Sequence, residues 1–515
     1  MSTGAAAPDA TGGLVLASAR GRWVLLATVL GSAIASIDAT VVGIALPAIG
    51  RDFHVGLAAL QWVVTAYTMT LAGLLLLAGS LGDKYGRKKV FLIGVVWFAV
   101  ASLLCAVAPD ATFLILARAL QGVGAALLTP GSLAILEAVF RPDDRGKAIG
   151  AWSGYAGVGT AIGPFIGGYL VQAVSWRLIF VINLPLAALV VVVSLRHVPE
   201  SRDPQATGRI DVLGGTLVTL GLIALTYGLI EGPGGHWFDS GVLAALIAGV
   251  VLLGAFVGQE LRSKDPMLPL HLFASTQFTA TNLITFVVYG GIGGALFLLP
   301  IELQQVSGYT ALEAGISLLP VTAITLVLSR RSGALAARIG PRLQMSVGPV
   351  LVGLGLALFT RITASGDYLT EVLPAVLVFG FGLAVTVAPL TSTVLDAVPA
   401  EHAGIASAVN NDVARAAALI AVALLPAAGG ITGDAYRHAN VFSAGFHTAS
   451  LISGALCVAG GVLALFTIRN PARVAGAARR TAAPIHCALD APPAAVSTAA
   501  SGGAAVRGSA QPRGR

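Results

Sequence analysis

Apolar stretches about twenty residues long recur along nearly the whole chain, and that recurrence restricts the available folds more than any other feature. A helix of that length spans the hydrocarbon core of a bilayer. The runs fall near 23–46, 57–78, 90–108, 112–136, 148–171, 177–195 and 212–230. Seven more fall near 241–259, 278–301, 312–329, 343–360, 370–394, 404–427 and 446–468, making fourteen. The first run is longer than the apolar region of a signal peptide and has no A-x-A cleavage site after it, so it is read as a retained span.

Composition agrees. Hydrophobic residues make up 56% of the 515 and charged residues only 11%, too few to cover a soluble surface of this size. The 63 glycines and the many alanines suit helices packed backbone to backbone, since lipid supplies no hydrophobic drive for helix association. The net charge of +7 forms neither a basic patch nor a nucleic-acid-binding motif. The cations sit instead in short loops between runs. With the N-terminus inside, inward segments hold 25 of the 31 Lys and Arg, while outward loops hold only Arg51, Arg177, Arg361 and Arg437. Arg118 and Arg415 lie within runs. The positive-inside rule then puts both termini in the cytoplasm, and the expected location is the cell (inner) membrane. The inward loop near Asp396–His402 carries no Lys or Arg and is silent on this point.

Residues 1–22 and 470–515 are Ala/Gly/Pro/Ser-rich and read as disordered cytoplasmic ends. The polar stretch 197–211 reads as a cytoplasmic linker. It divides a six-span bundle at 23–196 from two further spans at 212–260 and a second six-span bundle at 261–469. Cys105 and Cys457 fall in apolar runs and Cys487 in the tail, which implies core fillers and no disulfide framework or metal site.

Several motifs carry a mechanism. Gly79-Ser-Leu-Gly82-Asp83-Lys-Tyr-Gly86-Arg87-Lys-Lys89 places one carboxylate among four cations at a helix end, with glycines that allow a tight turn. Orientation alone needs no acid there. Leu116-Ala-Arg118-Ala-Leu-Gln121-Gly122-Val-Gly124 buries an arginine in the fourth run. Gly159-Thr-Ala-Ile-Gly163-Pro164-Phe-Ile-Gly167-Gly168 marks the fifth. The first carries Ile37-Asp38-Ala-Thr40-Val-Val-Gly43-Ile-Ala45-Leu46-Pro47, and Trp176-Arg-Leu-Ile-Phe180-Val-Ile-Asn183-Leu-Pro185 follows the fifth. In this order the segments resemble the signatures of the major facilitator superfamily, and within it the fourteen-span drug:proton antiporters, with Gly43 where that branch has Asn. Gly333-Ala-Leu335-Ala-Ala-Arg338-Ile-Gly340-Pro-Arg342 is similar to a degenerate second copy of the Asp83 loop, as an internal repeat would leave.

The resemblance implies an all-α membrane protein with the major facilitator fold: two six-helix bundles plus two extra central transmembrane helices, 14 spans in all. It implies a conformational-switch loop at Gly79, Gly82, Asp83, Gly86 and Arg87, in which Asp83 and Arg87 lock the halves in one state. It also implies an antiporter motif at Gly159, Gly163, Pro164, Gly167 and Gly168.

Charges inside runs are the strongest functional signals, because even a lenient insertion scale charges ~2.5 kcal/mol for one at the bilayer centre. Asp38 and Arg118 are read either as a structural ion pair or as a proton relay, and the resemblance favours the relay. Asp412 and Arg415 stand three apart. They either neutralise each other or leave Asp412 facing a substrate cavity. Tyr67, Gln121, Tyr155, Asn282, Tyr289 and Asn411 complete the candidate cavity lining. Trp62, Trp152 and Trp176 read as interfacial anchors, and Pro130, Pro164, Pro300 and Pro320 as kinks or breaks.

No phosphate loop, G-x-S-x-G or H-E-x-x-H motif is present, and the histidines lack ligand spacing, so neither an ATP-driven pump nor an enzyme is expected. No cofactor is implied. The expected activity is proton-coupled export of small amphipathic or cationic organic compounds by a monomer in the lipid bilayer. The alternatives are a dedicated exporter of one metabolite or antibiotic, a substrate:proton importer, which the Gly163-Pro164 motif disfavours, and a non-transporting membrane sensor on the same fold.

Overall fold

Each long apolar run is helical, and polar residues at the run borders start several of the helices by capping orphan backbone N–H groups. The computed structural model describes residues 13–203, 210–399 and 402–470. The first half comprises α1 (Ala19–Phe53), α2 (Leu57–Tyr85), α3 (Arg87–Ala106), α4 (Ala111–Val139), α5 (Pro142–Ala173), α6 (Leu178–Val181) and α7 (Asn183–His197). A hairpin follows, α8 (Val212–Glu231) and α9 (Ser240–Arg262). The second half comprises α10 (Thr276–Gln305), α11 (Ala311–Ser317), α12 (Leu319–Ile339), α13 (Pro341–Leu358), α14 (Leu373–Asp396), α15 (Ala403–Ala428) and α16 (Ala439–Thr467). Ser18, Asp110, Asp211 and Ser275 cap α1, α4, α8 and α10 through their side chains, and Thr310 with Glu313 forms a capping box on α11.

Among the described residues, thirteen helices are long and apolar enough to cross a membrane, with Leu178–His197 and Ala311–Ile339 each taken as one. The fourteenth run expected from the sequence is α5. At 32 residues it is long enough, but its recurrent glycines dilute its hydropathy.

Several helices run past their apolar stretches, because backbone hydrogen bonding continues after the side chains turn polar. Residues 13–22, expected to lack structure, are ordered. Leu14 bridges Phe140, Leu16 N–H donates to Asp144 at 3.1 Å, and α1 already starts at Ala19. The bridge is made by backbone groups, which composition does not report. Residues 1–12, 204–209 and 471–515, parts of the expected disordered ends and linker, lie outside the described residues. Pro130, Pro164 and Pro300 stand inside helices, whereas Pro320 sits in the first turn of α12 and the break falls just before it.

The helices α1–α7 pack among themselves, as do α10–α16, while α8 packs on α9 and on both α2 and α15. The apolar window of α9 is only 17% buried against 61% for α1, so the hairpin is peripheral. Met69 and Ala72 of α2, Leu222 of α8 and Leu419 of α15 share one apolar cluster at that seam.

The halves join where α2 begins and α15 ends. Gln61 donates to the Val422 and Ala423 carbonyls at 2.7 and 3.1 Å, and Gln304 to that of Ile44 at 3.0 Å. Toward the opposite end, where the Asp83 loop lies, Gly146, Gly150 and Gly154 of α5 and Gly404 of α15 face open space. The bonds named above therefore join the halves at the end away from the Asp83 loop.

Candidate functional site

Asp38 lies mid-way along α1 and Arg118 within α4, each 1% exposed. On α4 the spacing Arg118-x-x-Gln121 turns both side chains to one face. Arg118 Nη1 donates to Asp38 Oδ2 and, at 2.6 Å, to Gln121 Oε1. Asp38 Oδ1 accepts from Gln121 Nε2 at 2.8 Å and from Asn183 Nδ2 at 3.1 Å. Both amides also donate to Ser102 Oγ, at 2.9 and 3.3 Å. Arg118 Nε donates to the Val63 carbonyl at 3.1 Å, and the guanidinium lies 4.3 Å from the Tyr67 ring centroid. Gly122 makes the last contact possible, since a Cβ there would overlap Thr70 and the Tyr67 carbonyl of α2. Five long helices thus converge on one carboxylate whose two oxygens are both occupied. Such a pair tolerates burial because every charge has a partner.

A second group lies on α15. No hydrogen bond or ion pair joins Asp412 and Arg415 among the described residues. Asp412 Oδ1 and Arg415 Nε are cut off from solvent without a partner, as is the Tyr67 hydroxyl on α2. Their neighbour Asn410 is occupied, donating to Asn282 at 3.0 Å and Thr285 at 2.8 Å on α10.

The remaining expected cavity residues scatter. Gln121 is fully buried in the Asp38 network, and Asn282 belongs to the α10–α15 contact. Asn411 donates to the Ser407 carbonyl on its own helix. Tyr289 is half-buried, and Tyr155 is 59% exposed and apart from the network. Trp152 and Trp176, expected as interfacial anchors, donate to Ser32 and Asp52 of α1, each at 3.0 Å.

At the loop between α2 and α3, Gly86 takes φ +117°, where an L side chain is strained. That turn lets Arg87 reach back to Asp83, at 2.8 Å through both Nε and Nη2, and to the Ala134 carbonyl of α4 at 3.3 Å. Glu200 accepts from the Lys88 and Lys89 N–H groups at the α3 N-terminus. Among the described residues these bonds of Asp83 and Arg87 stay within the first half.

The glycine–proline segment is a two-sided seam. Toward α1, a Cβ at Gly163 would overlap the Thr40 hydroxyl, and one at Gly167 would come within 2.7 Å of Val41. Toward the second half, Gly168 abuts the Ala311 carbonyl and Gly315 of α11 abuts the Pro164 carbonyl.

Sequence reasoning missed Ser102 and Asn183 as site residues, and it did not single out the buried Glu302 elsewhere on α10. Asn183 stood inside a recognised motif, but Ser102 in its apolar run carries no signal. Glu302 falls one position past the run 278–301. It is buried on α10 with one oxygen accepting from Ser443 at 2.7 Å and the other unpartnered. No cluster of three or more His, Cys, Asp or Glu side chains with metal-holding geometry occurs among the described residues.

Residues 28–423 match the sequence model of the Major Facilitator Superfamily. The chain belongs to that superfamily. This major facilitator is 35% identical over 445 residues to the tetracenomycin C resistance and export protein of Streptomyces glaucescens, covering 85% of this chain and 82% of that one. It is 38% identical over 386 residues to the multidrug resistance protein Stp of Mycobacterium tuberculosis (strain CDC 1551 / Oshkosh), covering 75% and 71%. A bacterial homologue of the human lysosomal transporter Spinster has the same fold, with a TM-score of 0.62 at 15% identity over 88% of this chain and 97% of that one. The protein is a multi-pass membrane transporter, not an enzyme.

Proposed function

We propose that this transporter exports small amphipathic organic compounds, cations among them, in exchange for protons. It does so by alternating access from the cell (inner) membrane, as a fourteen-span monomer with both termini in the cytoplasm. The observation that carries the reading is the Asp38–Arg118 network: a carboxylate at mid-membrane, held by an arginine and two amides from other helices. Any movement of α4 or α7 against α1 changes its donors, and a carboxylate that loses a cationic partner gains proton affinity. Helix movement and protonation are thereby linked.

The positive-inside rule puts the basic Asp83 end on the cytoplasmic side, and the bonds between Gln61, Gln304 and the facing carbonyls lie toward the other side. α5, which touches α1 on one side and α11 on the other, supports a rocking motion about the glycine–proline seam. A narrower reading, export of one antibiotic, is favoured by the similarity to the tetracenomycin C exporter.

The test is accumulation of a panel of dyes and antibiotics in cells expressing the protein, with and without a protonophore. Wild-type efflux should stop when the proton gradient is collapsed. Asp38→Asn should abolish efflux while the protein stays inserted, and unimpaired efflux in that variant would remove the relay.

A further inference from the structure

The second half carries an unmatched pair of opposite charges that the proton site does not use. Asp412 and Arg415 are one helical turn apart on α15, roughly 5–6 Å between Cβ atoms. No bond joins them among the described residues, and each holds a buried atom without a partner, Asp412 Oδ1 and Arg415 Nε. Across the α2–α15 packing, the Tyr67 hydroxyl has none either, although Tyr67 is only 3% exposed. The site thus offers a cationic donor, a hydroxyl and an anionic acceptor. Buried polar atoms left unbonded lose their hydration without return.

A purely cationic molecule answers Asp412 and leaves Arg415 and the Tyr67 hydroxyl unpartnered. A molecule with an acidic oxygen and a positive nitrogen answers all three atoms. Resting on the export reading above, we infer that Asp412, Arg415 and Tyr67 form a subsite for amphoteric substrates. Arg415 and the Tyr67 hydroxyl take an acidic oxygen, and Asp412 takes a protonated or quaternary nitrogen of the same molecule. Tyr67 also stacks on Arg118, so an occupant of this subsite touches a residue that contacts the Asp38 network.

A matched pair of probes tests this: rhodamine B, a zwitterion, and its ethyl ester, which keeps the ring cation and lacks the carboxylate. Equilibrium binding is read by fluorescence anisotropy on the purified, detergent-solubilised full chain, for wild type, Arg415→Gln and Arg415→Lys. Wild type should bind rhodamine B. Arg415→Gln should weaken rhodamine B by about tenfold, the scale of one charge-assisted hydrogen bond, and leave the ester unchanged or tighter. Arg415→Lys should restore most of the difference, and size-exclusion profiles show which variants are folded. Equal weakening of both probes, an unaffected zwitterion, or a wild type that binds only the ester each overturns the subsite. Binding requires no proton gradient, so a failure of proton-driven export would appear in the efflux assay and not here.

Discussion

Two acids within apolar runs have opposite surroundings. Asp38 has each oxygen filled by donors from other helices, whereas Asp412 keeps a buried oxygen without one. A filled carboxylate holds its helices together, and an unfilled one has an acceptor to offer a ligand. Asp412→Asn should therefore weaken resistance to cationic compounds several-fold more than to neutral ones, read as inhibitory concentrations in a sensitive host. Equal effects on both classes would assign Asp412 to structure alone. Asp38 and Arg118 were legible in the sequence because a charge in an apolar run has few other uses. Ser102 was not, because a serine in such a run can satisfy itself on its own helix and composition does not separate that use from a contact across helices.

At the scale of elements, α5 explains why one expected span falls below the apolarity of the rest. Its glycines exchange hydropathy for close approach, to α1 at Gly163 and Gly167 and to α11 at Gly168. Gly163→Val should overpack the seam at a cost of about 1–3 kcal/mol, lowering the melting temperature and efflux together. Gly154→Ala on the same helix faces open space and should leave both near wild type. A melting temperature insensitive to Gly163→Val would sink the seam argument. Helix positions were readable from hydropathy. Their ends were less so, since Ala19 and Phe53 extend α1 beyond its apolar stretch by backbone bonding that no side chain announces.

At the scale of the molecule, the arrangement of the halves was invisible in the sequence. The bonds that close one end run from Gln61 and Gln304 to the carbonyls of Val422, Ala423 and Ile44, and a carbonyl is the same in every residue. Cysteines at Gln61 and Val422, with Cys105, Cys457 and Cys487 replaced by Ser, should be joined by a short thiol crosslinker. The joined protein should then cease efflux, because that end can no longer part. Continued transport by the crosslinked form would exclude alternating access through this gap. The enclosed Arg118 has an electrical consequence. A guanidinium does not discharge, so protonating Asp38 leaves one net positive charge inside the bilayer. Each net charge that a complete cycle moves across the field is worth about 2.3 kcal/mol per 100 mV. Exchange of one proton for a neutral compound would then draw current, exchange for a monovalent cation would not, and the membrane voltage would favour some cargoes over others.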